Sequence, residues 1–184
     1  MNNLEFTIWK TKVTISFWFL FAISVISIIS VNFTLVLIAV IIHELSHIIF
    51  LLLLGGKINE INLRLTDINI SSNVLNLPMI RGMCIIIAGP MANFLIGIIF
   101  KNFNTEFSIV NFTLGLFQLL PVFSSDFDNF IKVIFKGKFV KLFKFIYFAF
   151  ALIIFFLGIN LLIVSKYNFT MLVMGVFLII KSLL

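Results

Sequence analysis

Residues 35–54 read LVLIAVIIHELSHIIFLLLL, with His43, Glu44 and His47 set inside an otherwise apolar run. Twenty residues of helix rise about 30 Å, the thickness of a bilayer's hydrocarbon core. Each ionisable group near the middle of such a span costs roughly 2.5 kcal/mol or more unless something compensates it. At 100° per residue, His43 and His47 lie about 40° apart on the helix surface, and Glu44 lies within about 100° of His43. Imidazoles at i and i+4 can both reach one zinc ion, and the intervening glutamate is then placed to take a proton from a water the ion activates. His43 and His47 are the only histidines of the chain. A histidine pair bridging helices by hydrogen bonds leaves Glu44 without a role, and a His/Glu proton relay is the remaining plain reading.

The rest of the chain is written for the same solvent. Of 184 residues, 62% are hydrophobic, 11% are charged and 25 are phenylalanine. A soluble domain keeps about a quarter of its residues charged, so a cytosolic globule and a disordered chain are both excluded. Cys84 is the single cysteine, which excludes a disulfide scaffold. Spans are expected at residues 13–31, 35–54, 83–100, a broken segment beginning near Phe107, 144–164, and 169 to the C-terminus. The first is too long for a signal peptide, has no small-residue cleavage site after it and is followed directly by more spans. With the N-terminus cytoplasmic, 11 of the 13 lysines and arginines fall on the inner side, the bias that orients membrane proteins. The net charge of +6 therefore reads as membrane orientation, with no nucleic-acid partner and both termini inside.

Two connections stand out. Residues 55–78 form the longest polar interval, and within it residues 57–71 partly alternate apolar and polar, the period of a strand. Lys132, Lys136, Lys141 and Lys144 interleave with apolar residues, as in a juxtamembrane segment resting on anionic headgroups.

A catalytic zinc normally has three protein ligands and one position open to water. With no third histidine and one lone cysteine, the third ligand is expected to be a carboxylate. Beyond Glu44 the acids are Glu5, Glu60, Asp67, Glu106, Asp126 and Asp128. Asp126 and Asp128 follow Pro121, which breaks the fourth span, and irregular backbone with a buried carboxylate is tolerated where it lines a cavity. The two are about 200° apart if helical, so one of them alone faces a metal. The third span carries Gly89-Pro90-Met91-Ala92-Asn93, where Gly and Pro permit close helix approach and Asn93 offers a buried donor and acceptor.

With these residues the chain resembles the site-2 protease family of intramembrane zinc metalloproteases (peptidase family M50). His43-Glu44-Leu45-Ser46-His47 matches its HExxH, and Gly89 to Asn93 match its Gly-Pro-x-x-Asn. Gln118-Leu119-Leu120-Pro121 through Asp126 is similar to its Asn-Leu-Leu-Pro…Asp-Gly segment. The nearest pattern is that of the six-span sporulation subgroup without a PDZ domain. The resemblance implies zinc held by His43, His47 and Asp126, with Asp128 the alternative third ligand. It implies Glu44 as general base and Asn93 and Gln118 as residues near the substrate or its oxyanion. It further implies a single membrane domain over residues 1–184, without PDZ or cystathionine-β-synthase domains, in a bacterial cytoplasmic membrane. The expected fold is an all-α polytopic membrane protein of about six transmembrane helices, the fourth broken, with a short strand-like segment after the second. The expected partners are membrane-embedded or membrane-associated protein substrates, the bilayer, and a regulatory membrane protein. Gln118 and Phe127 replace the family's usual asparagine and glycine, the pattern of a rival reading: a non-catalytic zinc-binding pseudoprotease acting as a chaperone or immunity factor.

Overall fold

A computed structural model describes every residue except 1, 2, 9, 10, 18, 22, 25–30, 64–67, 124, 137, 166–168 and 184. The chain divides into two compact units, Met1–Leu116 and Phe117–Leu184.

In the first unit, strands β1 (Leu4–Ile8), β2 (Thr11–Ile15), β3 (Ile58–Leu63) and β4 (Ile68–Ser72) form one sheet in that order. The two hairpins are antiparallel and the central pair β2–β3 is parallel. Register aligns Phe6, Val13, Ile61 and Ile70 across the strands, and in the next row but one Leu4, Ile15 and Leu63. The intervening rows carry Thr7, Lys12, Glu60 and Ser71, then Glu5, Thr14 and Asn62. Because successive side chains point to opposite faces, one face of the sheet is apolar and the other polar. On the polar face Lys12 pairs with Glu5 at 3.1 Å and Thr14 donates to Asn62.

The alternation at residues 57–71 thus marks β3 and part of β4, although residues 64–67 lie outside the described residues. The N-terminal hairpin is a correction to the sequence reading. Residues 13–15, expected to open the first span, belong to β2, and helical backbone starts at Phe17. Lys12-Val13-Thr14-Ile15-Ser16 alternates like a strand, which a count of apolar residues over a long window conceals. Residues 25–30 of that span lie outside the described residues. Strand β2 precedes and β3 follows the apolar stretch at residues 17–53, and the two strands pair in parallel.

Helix α1 (Val31–Leu53) ends where Gly55 and Gly56 stop it. Gly56 N–H donates to Leu51 O at 2.8 Å and Gly55 N–H to Leu52 O at 3.2 Å, with Gly55 at φ +81°. This is the paired closure that a left-handed glycine permits at a helix C-terminus. A 3-10 turn at Val74–Asn76 and then Pro78 lead into helix α2 (Met79–Phe100), four residues ahead of the expected start. Helix α3 (Thr105–Gln118) is capped by Asn104, whose Oδ1 accepts from Phe107 N–H at 2.9 Å.

In the second unit the chain breaks after Gln118, as Pro121 suggested. Val122 N–H donates to Leu120 O at 2.7 Å, and Ser125 caps helix α4 (Asp126–Phe135) with its hydroxyl facing Asp128 N–H at 3.4 Å. Helices α5 (Val140–Ser165) and α6 (Thr170–Leu183) follow. Val122, Ala151, Ile154 and Leu178 form a buried cluster. α5 and α6 cross at Gly158 and Gly175, where an added Cβ would lie 2.6 Å from Leu172 N and Phe155 Cα respectively. Small residues let two membrane helices bring their backbones together.

Among the described residues, Phe33–Leu53, Met79–Phe100 and Val140–Val164 are helices long and apolar enough to cross a membrane, and Met171–Ser182 is a shorter apolar helix. The protein is a polytopic, mainly helical membrane protein with a small sheet.

Gly158→Val is expected to drive the Val side chain into the α6 backbone and to lower stability by about 2 kcal/mol, a typical cost of overpacking. Thermal unfolding of the purified protein in detergent, followed by circular dichroism, reads this directly.

Candidate metal centre

The centre is built where α1 and α2 pack. Ala39, His43 and His47 recur every four residues on α1, and Ile85, Gly89 and Asn93 do so on α2, so each set forms one stripe along its helix. His43 is 2% exposed and Asn93 0%, a depth at which polar atoms need partners. His43 Nδ1 lies 2.6 Å from Asn93 Oδ1, and His47 Nδ1 lies 2.8 Å from the carbonyl oxygen of Ile85. A carbonyl oxygen only accepts, so His47 Nδ1–H donates, and in the neutral imidazole Nε2 then carries the lone pair. Asn93 Nδ2 donates to Ala39 O at 3.3 Å and to Asn111 Oδ1 at 2.9 Å, which turns Asn93 Oδ1 towards His43 as an acceptor. His43 therefore also holds its proton on Nδ1.

Both imidazoles thus present Nε2 to each other, at 3.2 Å with the rings edge to face. Two nitrogens on one tetrahedral zinc at about 2.0–2.1 Å stand about 3.3–3.4 Å apart, so the observed spacing fits a shared ion. Two lone pairs held this close also favour a cation between them. Gly89 makes the room: an added Cβ there would overlap His47 Nε2, would lie 2.6 Å from His47 Cε1 and would lie 2.8 Å from His43 Cε1. This is the physical reason for glycine beside Pro90 in α2. Glu44 is half-buried on α1 between the two histidines.

The structure therefore brings His43, His47 and Asn93 together. Asn93, expected near substrate, spends both Nδ2 protons on Ala39 and Asn111, and an oxyanion would have to displace one of them. The other expected residues stand in the second unit. Gln118 closes α3 half-buried, and Asp126 and Asp128 occupy the first turn of α4, where carboxylates suit the helix dipole. Asp128 is 3% exposed and accepts from Lys132 Nζ at 2.8 Å and from Tyr147 Oη at 3.1 Å. Its charge is thereby matched within α4 and α5, as a buried carboxylate requires.

Asn111 was not anticipated. It is 0% exposed, and its Nδ2 donates to Phe107 O at 2.9 Å. Like Asn93, it is an amide inside an apolar helix, four residues before a glycine, Gly115.

Gly89→Ala is expected to displace the imidazoles and weaken zinc binding by about tenfold or more, with helix content unchanged. Zinc titration of the purified protein beside its circular dichroism spectrum tests this.

No family model and no curated protein matches the chain by sequence. Among solved structures it is similar to the site-2 protease from Methanocaldococcus jannaschii, with a TM-score of 0.64 and 24% identity. The match covers 98% of this chain and 94% of that one. What the two share is the fold, across nearly the whole length of both.

Proposed function

We propose that this protein is an intramembrane zinc metalloprotease of the site-2 type, hydrolysing peptide bonds of membrane-embedded or membrane-associated proteins. The observation that carries the reading is the pair of Nε2 atoms at 3.2 Å, each imidazole fixed through its Nδ1, on a fold shared with a site-2 protease.

In this reading His43, His47 and Asp126 hold the ion: two imidazole nitrogens and a carboxylate oxygen, a donor set known for catalytic zinc. Asp126 is preferred over Asp128 because Lys132 and Tyr147 already engage the Asp128 carboxylate. When bound, the ion supplies Lewis acidity to a water and to the scissile carbonyl. Glu44 accepts the proton of the attacking water on its carboxylate and later delivers it to the leaving amine. Gln118, half-buried at the end of α3, is the amide offered to the substrate. A transmembrane substrate hides its amides in intrahelical bonds and must unwind before attack. We place residues 55–78, the lysine-bearing segment at residues 132–144 and both termini on the cytoplasmic side of a bacterial membrane, from the lysine and arginine bias.

Glu44→Gln is expected to retain zinc and to lose cleavage of a co-expressed membrane substrate by about a hundredfold or more. Wild-type turnover in that variant rejects Glu44 as the base, and zinc binding without turnover in the wild type favours the pseudoprotease. Asp126→Asn is expected to lower zinc stoichiometry, whereas Asp128→Asn keeps it and loses stability instead. Metal analysis of both variants decides the third ligand.

A further inference from the structure

The bonds around His43 continue past Asn93 into a third helix, and they run in one direction. At the far end Phe107 O accepts from Asn111 Nδ2 at 2.9 Å. That bond turns Asn111 Oδ1 towards α2, where it accepts from Asn93 Nδ2 at 2.9 Å. Asn93 Nδ2 also donates to Ala39 O at 3.3 Å, and Asn93 Oδ1 faces His43 Nδ1 at 2.6 Å. Flipping either amide would set an amine against a donor or an oxygen against a carbonyl, and both residues are 0% exposed, so no bulk water repairs the mismatch.

We infer that Asn111, acting through Asn93, is a positioning residue that fixes the tautomer and ring orientation of His43, holding the proton on Nδ1 and aiming Nε2 at the metal position. This rests on the zinc reading above for its purpose, but not for its geometry. His47 needs no such relay, because Ile85 O holds its Nδ1 directly. The two ligands of one helix are thus oriented by different means: one by a backbone carbonyl of the adjacent helix, the other by two side-chain amides spanning α1, α2 and α3. Partners of this kind, behind the ligands themselves, set ring orientation and ligand basicity in metal sites.

The two histidines make the test clean. Metal-free protein labelled with 15N-histidine in detergent micelles gives two imidazole signal sets, whose nitrogen shifts report which nitrogen carries the proton. In the wild type both rings are expected to be protonated on Nδ1. Asn111→Leu removes the nearer of the two acceptors that orient Asn93 and leaves only the longer bond to Ala39 O, so His43 is expected to become a mixture of tautomers while His47 is unchanged. Asn111→Asp, whose neutral carboxyl at this buried position donates its O–H to Phe107 O and keeps an oxygen facing Asn93, is expected to restore the single form. If the leucine variant does not fold, Asn111→Ala removes the same bonds without added bulk and carries the same expectation. Zinc affinity is expected to fall about tenfold in the leucine or alanine variant and to recover in the aspartate variant. An unchanged His43 tautomer in the folded leucine or alanine variant overturns the inference, as does a change in both histidines that aspartate fails to reverse. Should the wild type bind no zinc, the metal reading fails while the tautomer comparison still decides the role of Asn111.

Discussion

Three backbone carbonyls, those of Ala39, Ile85 and Phe107, set the polarity of the side-chain bonds around His43 and His47. A carbonyl accepts and never donates, so each one facing an amide or an imidazole dictates where the protons behind it sit. In water such a preference is weak, because solvent satisfies either arrangement. At the junction of α1, α2 and α3, where Asn93 and Asn111 are fully buried, it becomes a strict rule. The outcome is two Nε2 atoms facing each other at metal-sharing distance. A metal held by these two rings would depend on that polarity, because an imidazole protonated on Nε2 has no lone pair to offer.

The scaffold is arranged to let these groups meet. Helices in lipid gain little from burying apolar surface, so they associate through close packing and interhelical hydrogen bonds. Gly89 provides the first, since any Cβ there would occupy the space of the imidazoles, and Asn93 provides the second. The sheet contributes differently. Its parallel pair β2–β3 joins the strand that precedes α1 to the strand that follows it. In the second unit a similar economy holds. Pro121 interrupts the helix, Ser125 caps the next one, and Asp128 clamps α4 to α5 through Tyr147.

Much of this was legible in the residue order. Composition alone required a membrane solvent, HExxH within an apolar run pointed to a metal, and Gly89-Pro90 and Pro121 marked a close approach and a break. The less legible parts were those where two local signals overlap. Residues 13–15 are apolar enough to join a span and alternate enough to form a strand, and pairing with β3 resolves the ambiguity. Asn93 and Asn111 share one chemical description, an amide inside an apolar helix, and nothing in their spacing says that they touch.

The amino-acid order by itself determined the solvent, the helical periods, and the i, i+4 placement of His43 and His47 beside Glu44, because these follow from composition and from the 3.6-residue turn. Tertiary structure decided which acceptor faces the Nδ1 of each histidine, that Lys132 and Tyr147 bind Asp128, and that residues 4–8 and 11–15 join a sheet. Each of these depends on a partner supplied by another segment of the chain. Periodicity along one helix carries no information about which donor or acceptor a neighbouring helix will present.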